Sequence, residues 1–306
     1  MKYSLEDRLI WFKSELVPIK DAKVMVFSPT SQFGLNVFEG IPCYWNDNKQ
    51  KLFVFRVYDH YNRLQNSARL LNLKNNYSIN DMMDALIQTI KANEVKEDIS
   101  VRQTLFVDDF GSWSSEGPVQ MFVVPTPKNM LSSEYNNDGL NVCISSWTRI
   151  NDNSISPRIK CGANYINSRM GQREALRNGY NTCLFLNEDK KVSEGPGSCL
   201  FIVKNSNLIT PRLTDSVLES ITRDSVIKIA KLIGYEVIER TIDRTELYTA
   251  DEAFLCGSSM GISPVLSIDK YIVTDKIGKI TSEIKKKYFD IARGNDDDFS
   301  EWITEL

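Results

Sequence analysis

The sequence predicts an α+β protein of two domains, and three observations predict it. Segments rich in β-branched and aromatic residues come in groups, with helical patterns interspersed irregularly and not in strict alternation. A stretch of loop chemistry, Pro125 to Gly139, interrupts the patterned sequence with two prolines, several Ser and Asn, and a closing Asp-Gly. The length, 306 residues with 42% hydrophobic and 25% charged, suits two ordinary cores. The expected division is a small N-terminal domain over residues 1–124, an interdomain loop over 125–138, and a large C-terminal domain over 139–306.

Taken in order, "LIWF", "KVMVF" and "KLFVF" read as strands. "DHYNRLQNSARLL" reads as a helix with Leu64, Ala68 and Leu71 on one face. "SINDMMDALIQTIKAN" is a second helix. Ser78 and Asp81 have capping-box spacing, and Met82, Met83, Leu86, Ile87 and Ile90 form its apolar stripe. "VRQTLFV" and "VQMFVVP" close the first group as strands. Beyond the loop, "LNVCISSW" is a strand, and "NYINSRMGQREALRNG" is a helix stopped by Gly179. Strands "TCLFL", "CLFIV" and "LIT" follow, joined by "NEDKK" and "KNSN". "ITRDSVIKIAKLIG" is a helix with Val226, Ile229, Ala230 and Ile233 on one face. "YEVIERTI", "EAFLCG" and "PVLSI" complete the strands.

Composition removes several kinds of function. A net charge of −3 without a basic block argues against nucleic acid as a partner. No apolar run has the length of a membrane span, and the charged opening "MKYSLEDRLIWF" is unlike a signal peptide. The six cysteines form no CxxC pair, which fits reduced thiols in the cytoplasm and no zinc site. His60 is the single histidine, so a His-rich metal site cannot form within one chain. Its helical setting reads as a packed or capping residue. An enzyme so short of histidine draws its reactivity from an organic cofactor.

Four loops carry the residues such a cofactor needs. Lys160 precedes three small residues in "PRIKCGANYINSR". Glu194 stands before a rigid Gly-Pro-Gly turn in "VSEGPGS". "ESITRD" opens an amphipathic helix, where Ser220, Thr222 and free N–H groups suit an anion. "CGSSMGISP" offers hydroxyls and N–H groups after a strand end. Singly, a surface lysine, a solvated turn carboxylate and an ordinary N-cap account for the first three. Together they suit one ligand with an aldehyde, a basic ring nitrogen and a phosphate: pyridoxal 5′-phosphate.

Eight blocks in register carry a resemblance over nearly the whole chain: "FGLNVFEGI", "FRVYDHYNRLQNSARLL", "VRQTLFV", "SSWTRI", "IKCGANYINS", "VSEGPGSCLF", "ITRDSV" and "LYTADEAFLCGSSMGISPV". The sequence resembles the fold type IV pyridoxal-phosphate aminotransferases, and among them the branched-chain amino acid group. The resemblance implies a small α/β domain and a larger β-rich domain with helices, with the cofactor at the domain interface. It implies that Lys160 is the cofactor-linking lysine and later carries the proton at the substrate α-carbon. Glu194 would face the pyridine nitrogen and Tyr165 the ring oxygen. Arg56, Ile221, Thr222 and Ser258 would hold the phosphate, and Ser258 and Ser259 would receive the substrate carboxylate. Phe38 and Arg102 would line the substrate pocket, Arg102 meeting the side-chain carboxylate of glutamate. The implied reaction is a ping-pong exchange of an amino group between an aliphatic L-amino acid and 2-oxoglutarate, in a cytoplasmic homodimer or larger oligomer.

Departures from the family pattern fall near the substrate. Phe33 and Ser100 replace tyrosines, Pro42 replaces an arginine, Met130 stands near a usual aromatic, and "LESITR" replaces a Leu-Pro-Gly version. Phe38, Phe33 and Met130 would make an apolar pocket. A D-amino-acid aminotransferase, an aminodeoxychorismate lyase, a transaminase of an unusual amine and a non-catalytic cofactor-binding protein therefore stand beside the main reading.

Overall fold

A computed structural model of the chain describes residues 4, 6–128 and 139–306. Backbone packing gathers them into two compact units. One takes the described residues of Met1–Met130 together with Ile159–Ala163 and Asp290–Leu306; the other takes those of Leu131–Arg158 and Asn164–Phe289. This differs from the division read in the sequence, which placed all of 139–306 in the second domain. Backbone pairing explains the difference: Ile159–Ala163 and the last strand each hydrogen-bond to strands of the first unit. Residues 125–127 end a strand instead of opening a loop, and the rest of the expected interdomain loop, Met130 included, lies outside the described residues apart from Lys128.

The first unit is built on β1 (Leu9–Phe12), β2 (Glu15–Pro18), β3 (Asn36–Asn46), β4 (Lys51–Phe55), β5 (Ile99–Val107) and β6 (Val119–Pro127). With the C-terminal strand Ile303–Glu305 they form a seven-stranded sheet in the order C-terminal strand, β4, β3, β5, β6, β1, β2. Every pairing in it is antiparallel. Helix α1 (Pro29–Phe33) is short and ends on Gly34 at φ 67. Helices α2 (Val57–Leu70) and α3 (Ile79–Ala92) cover the sheet. Ser78 and Asp81 form the expected capping box of α3, and Met82, Met83, Leu86 and Ile90 are buried as the stripe required. Tyr61, Leu64 and Ala68 of α2 meet Val37, Ile41 and Val101 in the same core.

Two sequence expectations fail here. "KVMVF" is not a strand: Val24, Met25, Val26 and Phe27 are all exposed and have no ladder partner, whatever their β-propensity. Conversely the sequence pattern does not mark β3 as a strand, because Glu39, Gly40 and Pro42 are types that strands disfavour. Pro42 is tolerated because β4 pairs only with Cys43–Asn46, so the proline falls outside that ladder.

The second unit contains β7 (Leu140–Thr148), β8 (Thr182–Leu186), β9 (Cys199–Lys204), β10 (Asn207–Thr210), β11 (Val237–Glu239), β12 (Glu252–Gly257), β13 (Gly261–Ile268) and β14 (Tyr271–Ile272). The sheet is mixed, in the order β11, β10, β9, β12, β13, β7, β8, with β14 on β13. Parallel pairs join β10 to β11, β13 to β7 and β7 to β8. Helix α4 (Tyr165–Arg177) packs on β7 and β8, and α5 (Ile221–Leu232) on β12. Gly179 and Gly234, at φ 80 and 90, follow the ends of these helices as expected. Helix α6 (Lys279–Ala292) precedes the last strand. Among the described residues no helix is long and apolar enough to cross a membrane.

Gly171 sets how closely α4 approaches β8. A Cβ there would stand 2.4 Å from the Phe185 ring and 2.9 Å from Cys183 Sγ. In Gly171→Ala, overpacking of about 1–3 kcal/mol outweighs a helix-propensity gain of about 1 kcal/mol. The variant should therefore melt at a lower temperature; a rise in Tm would show that β8 yields without strain.

Candidate active site

The small residues after Lys160 let this segment lie against β3. Phe38 N–H donates to the Lys160 carbonyl at 2.9 Å, and Cys161 forms a bridge with Val37. Lys160 N–H donates to Ser67 Oγ of α2 at 3.1 Å. A Cβ at Gly162 would come within 2.9 Å of the Asn36 side chain, so only glycine fits without displacing it. Lys160 itself is half-buried, its ammonium 5.1 Å from the centre of the Phe38 ring.

The same ring carries a second cation. Arg102, on β5 opposite Gly40, stacks its guanidinium 3.9 Å from the Phe38 centroid while remaining exposed. Phe38 is thus more than an apolar wall, and Arg102 has both a protein contact and water. Phe33, the expected neighbour in that wall, ends α1 and is exposed. Arg56 takes a left-handed conformation, φ 51, at the N-cap of α2. Its guanidinium is buried between Asp59, at 2.7 Å, and the Trp302 ring, at 4.7 Å.

In the second unit, Glu194 is buried at the mouth of the Gly-Pro-Gly turn. Its Oε1 accepts from Arg149 Nη2 at 2.7 Å, Arg149 Nε at 3.2 Å and Leu218 N–H at 3.2 Å. Its Oε2 receives the Cys199 thiol at 3.6 Å. Arg149 also bonds Asn167 Oδ1 and Ser168 Oγ on α4, at 3.2 and 3.3 Å. Arg149 has no assigned role in the sequence reading, although it closes the block "SSWTRI". The usable signal was physical: a buried carboxylate requires a cation. Tyr165 is the first residue of α4 and is partly exposed.

Ile221 and Thr222 open α5, whose N-cap Ser220 accepts from Arg223 N–H at 3.2 Å. The β12–β13 turn brings Ser258 to the same place, its Oγ 3.5 Å from Thr222 Oγ1. Ser259 follows in that turn. Two hydroxyls at the start of a 12-residue helix are the donors a phosphate needs. Gly257 permits the approach behind them, since a Cβ there would stand 3.0 Å from the Gly197 carbonyl.

The family model for amino-transferase class IV matches residues 36–268. The chain belongs to the class IV aminotransferases. It is 36% identical to a branched-chain-amino-acid aminotransferase of Salmonella typhimurium over 96% of each chain. It is 35% identical to that of Escherichia coli K12 over 97% of each. The fold matches the crystal structure of the branched-chain amino acid aminotransferase from Thermobaculum terrenum in its PLP form, with a TM-score of 0.91, 37% identity and 99% of both chains covered. Class IV aminotransferases are pyridoxal-phosphate enzymes. The donors of this aminotransferase suit that cofactor: a lysine amine in a close-packed segment, a buried carboxylate, and paired hydroxyls on a helix N-terminus.

Arg149 makes Glu194 tolerable. Arg149→Met leaves the carboxylate buried without its ion pair, a loss of about 3–5 kcal/mol. Urea unfolding of the cofactor-free aminotransferase should show it; a change under 1 kcal/mol would mean that Leu218 and Cys199 suffice.

Proposed function

We propose that this aminotransferase binds pyridoxal 5′-phosphate and exchanges an amino group between a branched-chain or other aliphatic L-amino acid and 2-oxoglutarate. The observation that carries the reading is the full-length relation to branched-chain aminotransferases. When bound, the cofactor supplies an aldehyde that takes up an amine and a ring that stores electrons.

The chain's own residues supply the rest. Lys160 would link the cofactor and would move the proton at the substrate α-carbon. Glu194, anchored by Arg149 through Oε1, presents Oε2 to the ring nitrogen. Tyr165 holds the ring oxygen. Arg56, Ile221, Thr222 and Ser258 receive the phosphate, and Ser258 and Ser259 the substrate carboxylate. Phe38 and Arg102 sort side chains: the ring accepts aliphatic groups, and the guanidinium accepts the second carboxylate of glutamate. The partners are amino acids and 2-oxo acids, and the setting is the cytoplasm. A homodimer is supported by the exposed apolar side chains Val26, Phe27, Phe110 and Trp113, of which Phe27 and Phe110 lie ring to ring at 6.4 Å.

Lys160→Ala should lose the visible band of the lysine-bound cofactor and slow transamination of leucine with 2-oxoglutarate by at least about 100-fold. A variant that keeps most of its turnover would remove Lys160 from the mechanism.

Arg102→Ala tests side-chain sorting. A charge-assisted hydrogen bond to the extra carboxylate is worth about 1.5–3 kcal/mol, so the glutamate half-reaction should lose about ten-fold or more in kcat/KM. The leucine half-reaction should change less than about three-fold on the same reasoning. Equal losses for both donors would make Arg102 a structural residue.

A further inference from the structure

Glu39 is a carboxylate in the core of the first unit, wholly buried on β3. Its Oε1 accepts from Arg63 Nε at 2.7 Å, and its Oε2 from Arg63 Nη2 and His60 Nδ1, both at 2.7 Å. Burial alone would raise its carboxyl; the Arg63 charge, then His60, overrule burial and hold it well below the usual carboxylate range. For His60 burial comes first and pushes the imidazole down, Glu39 opposes, and the charges of Arg63 and Lys160 push it down further. Burial thus favours the neutral imidazole, whose Nδ1 faces the Glu39 carboxylate at 2.7 Å and whose Nε2 has no hydrogen-bond partner among the described residues. One carboxylate, one guanidinium and one neutral imidazole sum to zero.

The geometry ties this cluster to Lys160. His60, Arg63 and Ser67 recur on one face of α2. Ser67 takes the N–H of Lys160, and Phe38, the residue before Glu39, donates to its carbonyl. The two elements that grip the main chain of Lys160 are the two that Glu39 and Arg63 bind together. Arg102 on β5 is the other cation on the Phe38 ring, and it is exposed.

We propose that Glu39, Arg63 and His60 are positioning residues for Lys160, a charge-balanced support that fixes its seat while adding no net charge around its amine. The inference rests on the reading of Lys160 as the cofactor-linking lysine. Glu39→Gln leaves Arg63 uncompensated, and an added positive charge disfavours the protonated form of the lysine–cofactor linkage. The double variant Glu39→Gln/Arg63→Met removes both charges.

The test is a spectroscopic pH titration of the visible band in the holoenzymes. Glu39→Gln should lower the midpoint by about one pH unit. The double variant should return to within about 0.3 unit of the parent, because the balance is restored although the cross-link is gone. A double variant displaced as far as the single one, or a folded single variant with the parent's midpoint, would overturn the proposal. Should Glu39→Gln fail to fold, the double variant decides alone: a midpoint displaced by about one unit from the parent's would overturn the proposal. A parent protein without a band that Lys160→Ala abolishes would overturn instead the reading of Lys160, and this inference with it.

Discussion

The hydrogen bond from Phe38 N–H to the Lys160 carbonyl is the constraint around which the first unit is arranged. It brings a segment from far along the chain onto β3, where Cys161, Gly162 and Ala163 are small enough to lie flat. Position 162 has room only for hydrogen beside Asn36. From this contact follow the placement of the lysine over an aromatic ring and the need for α2 to supply Ser67. Main-chain bonds on both sides of Lys160 fix its backbone between β3 and α2.

In each unit an arginine and further donors hold a buried glutamate: Arg63 and His60 hold Glu39, and Arg149 and Leu218 hold Glu194. Such pairs seldom add stability over an apolar core, yet breaking one is expensive. They enforce geometry more than they strengthen it. At Glu194 the arginine occupies one oxygen and leaves the orientation of the other determined. At Glu39 a strand and a helix are cross-linked at a single level.

What the sequence made legible was local. Ser78 and Asp81 capped their helix as their spacing required, Gly179 and Gly234 ended theirs, and the apolar stripe of α3 is buried. Thr222 could be suspected because it opens a helix and Ser258 because it follows a strand end, and the structure brings their hydroxyls to 3.5 Å. The failures were matters of partner choice. "KVMVF" has strand-forming residues and no strand beside it, and β3 contains poor strand formers held by ladders on both sides. The Arg149–Glu194 pair spans 45 residues, and no periodicity within either segment announces it. The segregation of Ile159–Ala163 and Asp290–Leu306 into the first unit was hidden for the same reason.

The C-terminal strand gives the protein a problem of timing. Lys51 and Glu305, paired across β4 and that strand, are 254 residues apart in the chain. Trp302 supplies both the carbonyl that receives Arg56 N–H, at 2.6 Å, and the ring beneath its guanidinium. A ribosome adding about 5–20 residues per second leaves β4 without this partner for on the order of ten to fifty seconds. During that interval the nascent sheet presents an open edge, and Arg56 lacks both of its Trp302 contacts. The nascent chain thus carries an adhesive border until Ile303–Glu305 arrive to cover it.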